Sequence, residues 1–233
     1  MDFQYIDPPM PSFSRYRAMM QRAPGASMLR ALEYEAVVSL PLKGRVLDFG
    51  GGQRAKYVPL LPAGLDLASV NIDEEFQPTE IVPVGAPLPF EADSFDGAIS
   101  LNVFEHIYDT RFVLDEIFRV LKPGGTLYAA VPWMFRVHGH PDDYSRHTAS
   151  WWQKTIELTG FSAMTIQPMC WGKATSGRMI GGNGMLGSVN RWAAVLTDIV
   201  TARARSKSRT HMVGKAATRA AAVAPGWLFT ATK

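Results

Sequence analysis

Three consecutive glycines, Gly50 to Gly52, follow directly on the apolar run Arg45-Val-Leu-Asp-Phe49. A strand that meets glycines stops in a tight turn, because glycine adopts backbone angles closed to other residues. The turn reads in two ways. As G-x-G-x-x-A, with Gly50, Gly52 and Ala55, it is a loop for a dinucleotide, which rests its pyrophosphate on bare amides and a helix N-terminus. Alternatively the deciding residue is Asp48, whose carboxylate at the mouth of the strand opposes an anion and suits a cation or a hydrogen-bond donor.

The rest of the chain alternates strand and helix. Residues 27–40 carry Met28, Leu32, Ala36 and Leu40 on one helical face. Strands are expected in GRVLDFG, ASVNID, EIVPVG, FDGAISLNV, TLYAAVP, FSAMTIQPM and GWLFTATK. RFVLDEIFRVL has helical spacing and is stopped by KPGG. TASWWQKTIELTG is a helix with Thr148 as N-cap and Gly160 as C-cap. Such alternation gives an α/β fold: a doubly wound, seven-stranded, mostly parallel sheet with a helical insertion before the last strand. The expected organisation is one domain over 1–233, with a helical cover in 1–43, a cofactor-binding core in 44–169, a helical and basic insertion in 170–224 and the last strand in 225–233.

Composition narrows the class. Hydrophobic residues at 47% and charged residues at 19% support a full core and exclude global disorder. The single cysteine, Cys170, excludes a disulfide framework and suits a reducing compartment. The opening MDFQYIDPPMPSF does not resemble a signal peptide, and no apolar run reaches the ~20 residues a membrane span needs. A cytoplasmic location is expected. The net charge of +3 is uneven: eight basic residues against Asp198 lie from Arg191 onward, leaving sixteen basic against twenty acidic in the body. A nucleic-acid partner is not expected, since such proteins spread basic residues over the main binding face.

Ligands of a doubly wound sheet bind outside the carboxyl ends of its strands. Gly50 to Gln53, Asp73, Asn102 to His106 and the segment from Pro132 onward all fall there. Asp73, 23 residues beyond Gly50, stands where an acid can hold ribose hydroxyls, in either kind of site. S-adenosyl-L-methionine, which has an ammonium, a sulfonium and no phosphate, answers to Asp48.

VLDFGGG, VNID, LPFEADSFDGAISLNVFEHI and EIFRVLKPGGTLYAAVP, in that order over about residues 45–161, together resemble the class I S-adenosylmethionine-dependent methyltransferases of the type 11 group. The resemblance implies a Rossmann-like methyltransferase fold with S-adenosyl-L-methionine as cofactor. It assigns cofactor binding to Asp48, Phe49, Gly50, Gly51, Gly52, Asp73, Asn102 and Val103. HPDDYSRHT, with Pro141, Asp143, Tyr144, Arg146 and Thr148 in a P-x-D-Y-x-R-x-T pattern, resembles members that occur with glycan and surface-polysaccharide enzymes. That likeness implies O-methylation of a sugar or glycolipid acceptor, with His140, Asp143, Tyr144 and Arg146 on the acceptor side. N- or C-methylation of a small metabolite, and a cofactor-binding partner subunit without activity, are the alternatives. Two departures stand out. Arg54 occupies the place of a frequent glycine, and Val84, Gly85 and Ala86 replace the acid often found before LPF.

A hydroxyl acceptor needs a base, and His106, just past the fourth strand, is the candidate. Glu105 beside it reads as structural or as bound to the loop. The His138, His140 and His147 group lacks the spacing of a metal site, so no metal is assigned. Asp143 and Arg146 also read as a pair holding a loop. In the C-terminal part GRMIGGNGMLG is expected to be a loop. SVNRWAAVLTDIVTA is an amphipathic helix with Val189, Trp192, Ala193, Leu196, Ile199 and Val200 on one stripe. That helix packs on the body or roofs the acceptor pocket, contacts a second copy, or, with the basic tail, lies on the inner face of an anionic membrane through 185–209.

Overall fold

The computed structural model describes residues 1–139, 141–182, 187–206, 209–212, 215–219 and 221–233. The chain begins with β1 (Asp2–Tyr5), α1 (Phe13–Arg22) and α2 (Met28–Val37). The core follows as β2 (Arg45–Phe49), β3 (Asp66–Asn71), β4 (Glu80–Ile81), β5 (Phe95–Leu101), α3 (Thr110–Val120), β6 (Leu121–Pro132), α4 (Ala149–Thr159) and β7 (Ala163–Met169). Then come α5 (Lys173–Gly181), α6 (Gly187–Ser206), a hairpin of β8 (Arg209–Met212) and β9 (Lys215–Thr218), and β10 (Gly226–Thr232).

The main sheet has the order β1-β7-β10-β6-β5-β2-β3-β4. Only β10 runs against its neighbours, pairing antiparallel with both β6 and β7. The doubly wound α/β sheet is therefore as expected, with one strand more than the seven read from the sequence. The extra strand is β1, which pairs parallel with β7 from Asp2↔Ala163 to Tyr5↔Ile166. Residues 1–43 are thus an edge strand plus two helices, not a purely helical cover. The short DFQY run carries no periodicity that would mark it, and its pairing partner lies some 160 residues away.

The local signals act as physical chemistry requires. Val46, Leu47, Ala98 and Ile99 are fully buried, since β2 and β5 have cover on both faces. Ser27 and Thr148 accept the N-cap hydrogen bonds of α2 and α4, from Arg30 N and Trp151 N. Gly160 closes α4 at φ 107°. Phe104, Trp152 and Phe229 pack ring to ring beneath the sheet.

The C-terminal insertion differs from the expectation in two respects. Residues 177–181, read as the start of a glycine-rich loop, belong to α5, while 183–186 lie outside the described residues. The helix α5 is held by Asp198 of α6. This buried carboxylate accepts from Ala174 N at 3.0 Å, Thr175 N at 2.8 Å and the Thr175 hydroxyl. The face of α6 that packs inward carries Ala194, Val195, Asp198 and Ala202. Most of the apolar stripe read from the sequence is turned out: Val189, Trp192, Leu196 and Val200 are exposed, while Ile199 packs partly buried against the core. Trp192 still leans on Tyr16 of α1, with ring centroids 5.0 Å apart. Among the described residues no helix is long and apolar enough to cross a membrane.

Candidate functional site

A cavity of about 890 Å³ opens at the carboxyl ends of β2, β3 and β5. Its walls come from several places. The glycine turn gives Phe49, Gly50, Arg54 and Tyr57; the end of β3 gives Asn71 and Ile72. The segment after β5 gives Asn102, Val103 and His106, and the loop after β6 gives His138, Asp142 and Tyr144. The N-terminal segment closes the rim through Arg22 to Ala26, Arg30 and Tyr34. None of the described residues of 170–224 lines this cavity. The insertion instead supports the N-terminal cover: Trp171 packs on Tyr16, and Arg191 donates to the Ala26 carbonyl at 3.1 Å.

The glycine turn is built around Asp48. The side chain is fully buried and accepts from Gly52 N at 3.1 Å and the Tyr57 hydroxyl at 2.7 Å. Burial pushes its pKa up to about 6, against those two hydrogen bonds. Asp48 is therefore beneath the turn and not on the cavity wall, where the sequence reading had it facing the ligand. Gly51 and Gly52 also stand off the wall. A Cβ on Gly51 would fall 2.0 Å from the Asp48 carboxylate and 2.2 Å from the Tyr57 hydroxyl. Gly50 adopts φ 83°, and a Cβ there would strike Val103. The turn is thus pressed flat between Asp48 below and Val103 beside it.

Asn71 holds the turn from the other side, and no sequence motif had singled it out. Its Nδ2 donates to the Gly50 and Gly51 carbonyls, each at 2.9 Å, and its Oδ1 accepts from Asp73 N. Asp73 itself caps the short turn Glu74–Phe76, accepting from Glu75 N at 2.8 Å, and stands next to the wall residue Ile72. Glu33 of α2 is a second residue the sequence concealed. It is fully buried, paired with Arg30 at 2.6 Å, and accepts from Asn102 Nδ2. Burial raises its pKa, with Arg30 opposing. The bond to Glu33 helps fix Asn102 in a left-handed conformation, φ 54°.

On the opposite side the HPDDYSRHT segment separates into wall and scaffold. Asp143 and Arg146 form the loop-holding pair: Arg146 donates to both carboxylate oxygens, at 2.6 Å to Oδ2, and His138 N donates to the same Oδ2 at 2.7 Å. The Arg146 guanidinium holds the Asp143 carboxyl below the usual range. Neither is on the wall, so the acceptor contact assigned to them falls to their neighbours. Tyr144 does line the cavity, is exposed, and donates to Asp142. His140 lies outside the described residues. His147 stacks flat on Trp151, 3.4 Å between centroids, and takes no part in the site.

His106 is on the wall, with Nδ1 2.5 Å from the Asp142 carbonyl. Glu105 is buried; its backbone carbonyl accepts from Tyr144 N at 2.8 Å and Ser145 N at 3.3 Å, which ties the loop to the turn after β5. Burial pushes its side-chain pKa up to about 8. Arg54, at the place of the expected glycine, lines the cavity and reaches the Glu75 carbonyl at 3.4 Å. Val84, Gly85 and Ala86 also line it, so the wall lacks an acid there.

The geometry decides between the two readings of the turn. The segment after Gly52 makes a three-residue turn of 3₁₀ helix, Val58–Leu60, and no α-helix N-terminus follows the glycines. The Gly52 amide is already bonded to Asp48. A pyrophosphate would find neither a helix dipole nor that donor. Residues 47–129 match the model of a family described as methyltransferase domain. The chain has the fold of the S-adenosylmethionine-dependent methyltransferases. One solved relative is a chain of the complex between the Haloferax volcanii Trm112 methyltransferase activator and a methyltransferase, at TM-score 0.57, 19% identity and 94% coverage of both chains. Another is an S-adenosylmethionine-dependent methyltransferase from Thermotoga maritima, at TM-score 0.55 and 16% identity, covering 94% of this chain and 95% of that one. Among curated proteins, a ubiquinone biosynthesis O-methyltransferase of Rhizobium rhizogenes is 29% identical over 104 residues, 39% of this chain and 42% of that protein. The chain spans about half the length of the curated relatives it matches.

Proposed function

We propose that the protein is an S-adenosylmethionine-dependent O-methyltransferase acting on a sugar-containing acceptor. The observation that carries this reading is the single cleft that runs from the flattened glycine turn to the His106 and Tyr144 wall. The turn suits a nucleoside lying against bare backbone. Gly50 and Val103 bound that slot, Phe76 and Val82 give it apolar faces, and Asp73, next to the wall residue Ile72, is the acid proposed for the ribose hydroxyls. Asp48 acts through the loop: it fixes the shape of the turn instead of touching the cofactor. Asn102, oriented by Glu33, faces the slot from the β5 side.

When bound there, S-adenosylmethionine supplies a sulfonium methyl that a nucleophile displaces in line. The chain aligns the acceptor, excludes water and receives its proton. His106 Nδ1 faces a carbonyl, which can only accept, so Nδ1 carries the ring proton and Nε2 is left as the basic atom. Arg22, Arg54 and Lys56 line the cavity and favour an acceptor with an anionic group, such as a sugar acid or sugar phosphate. The exposed stripe of α6 supports contact with an anionic lipid surface where a glycolipid acceptor resides. Flotation with phosphatidylglycerol vesicles at low salt tests that contact, and no binding removes it.

Calorimetry with S-adenosylhomocysteine and NAD side by side tests the cofactor. Binding of the first alone is expected; binding of NAD alone overturns the reading. Transfer of labelled methyl to a panel of neutral and acidic sugars tests the acceptor, and turnover only on amines would replace O-methylation by N-methylation.

A further inference from the structure

Glu105, His106 and His138 come from two segments that the fold brings together, the turn after β5 and the loop after β6. Each offers one ligand atom, and the three atoms lie within 4.8 Å of one another. Glu105 is 2% exposed, and neither carboxyl oxygen has a hydrogen-bond partner among the described residues. Proteins rarely leave a buried carboxyl in that condition, because its lost hydration goes uncompensated. Its Oε1 faces Nε2 of His106 at 3.6 Å and Nε2 of His138 at 3.8 Å.

Each imidazole has its Nδ1 beside a backbone carbonyl. His106 Nδ1 is 2.5 Å from the Asp142 carbonyl, and His138 Nδ1 is 3.1 Å from the Arg136 carbonyl. The Asp142 carbonyl accepts, so His106 Nδ1 donates and its Nε2 presents a lone pair on the side of Glu105. His138 Nδ1 lies between the Arg136 carbonyl and the Arg146 Nη2 donor at 3.4 Å, and its Nε2 is open to an ion in the tautomer that keeps the carbonyl bond. Histidines that hold metals are oriented in this way, by a carbonyl on the second nitrogen. We propose that Glu105, His106 and His138 form a site for a divalent transition-metal ion of the zinc type on the acceptor side of the cleft.

The separations support it. A tetrahedral zinc with these donors has ligand atoms about 3.4 Å apart, so each histidine closes on the carboxylate by a few tenths of an ångström, and the two histidine nitrogens, within 4.8 Å of each other, close by up to about 1.4 Å. The electrostatics support it as well. Arg146, the cation that acts on Glu105, is itself paired with Asp143, whose charge opposes it at Glu105. Three protein ligands leave a fourth position open, as in catalytic sites. His106 and His138 both line the cavity, so that position faces the acceptor.

The function of the ion rests on the methyl-transfer reading above. With the ion bound, His106 Nε2 is a ligand and no longer the base: an acceptor hydroxyl at the open position loses its proton to solvent more readily, because the cation stabilises the oxyanion. The oxygen then forms the bond to the methyl carbon, and the carbon–sulfur bond breaks with its electron pair going to sulfur. The sequence reading assigned no metal because it looked for spacing within 138–147. The ligands come instead from two loops about thirty residues apart.

The test uses the full chain, stripped with a chelator and titrated with cobalt(II), whose visible absorption reports its ligands. One equivalent is expected to saturate the spectrum and to be displaced by zinc. His138→Ala and Glu105→Gln should each weaken binding at least about 100-fold. His138 is on an exposed loop, so its variant keeps the test valid if the Glu105 variant folds poorly. Absence of a saturable cobalt spectrum, or a spectrum unchanged in His138→Ala, overturns the proposal. S-adenosylhomocysteine calorimetry on the same samples reads the cofactor separately: binding there without cobalt sinks only the metal site, and cobalt without it sinks only the cofactor reading.

Discussion

Asp48 and Glu105 stand at the same edge of the sheet, one at the end of β2 and one just after β5, and both are shut off from solvent. Their surroundings treat them in opposite ways. Asp48 has a donor for each oxygen, Gly52 N and the Tyr57 hydroxyl. Among the described residues Glu105 has a donor for neither. Burial raises both pKa values, to about 6 for the satisfied carboxyl and about 8 for the other. The contrast separates a carboxylate that shapes a loop from one that awaits a ligand. Only the second has oxygen lone pairs without a donor, although in the sequence Asp48 is the prominent acid.

Asp48→Ala should have the largest effect, since it leaves a buried amide and a buried hydroxyl without an acceptor. We expect a loss of about 3 kcal/mol in urea unfolding, together with loss of S-adenosylhomocysteine binding. If stability were unchanged, the loop-shaping role would be wrong. The titration of Asp48 gives an effect of similar size. Its folded pKa is raised from 3.8 to about 6, so the folded state holds the proton more tightly. The associated stability is complete below pH ~4 and is lost as pH rises through ~6, by at most about 3 kcal/mol. Urea midpoints of the natural protein and Asp48→Asn should diverge over that window, and parallel curves would refute the shift.

Tyr57→Phe removes one of the two donors and should cost about 1.5 kcal/mol, while moving the Asp48 titration upward. Glu105→Gln should change stability least, by under about 1 kcal/mol, because no existing hydrogen bond is broken. It should nonetheless abolish methyl transfer. A Glu105→Gln protein as unstable as Asp48→Ala would erase the distinction between the two carboxylates.

Much of the frame was legible in the chain. Strand β2 ends at Phe49 as its glycines require, α4 lies between Thr148 and Gly160, and β10 is the last strand. These features depend on neighbours within a few residues, where periodicity, caps and breakers act. The edge strand β1 was missed because four residues make a strand only when β7 is there to pair with them. The amphipathic stripe of α6 was correctly placed on one face, yet that face looks outward. Helical spacing reveals which residues share a side; Asp198, an acid within the buried face, clasps α5 and turns that side inward.

The candidate site divides along the same line. Sequence by itself determined the glycine turn, the position of Asp73 just past the end of β3 and the nearness of His106 to the end of β5, because each is a local consequence of strand, turn and residue type. Tertiary structure alone decided that Asp48 faces the loop, that Glu33 and Asn71 position its neighbours, and that His138 meets Glu105. Those are contacts between segments distant in the chain, and a hydrogen bond or a ligand set is fixed by distance in space, which local sequence pattern does not specify.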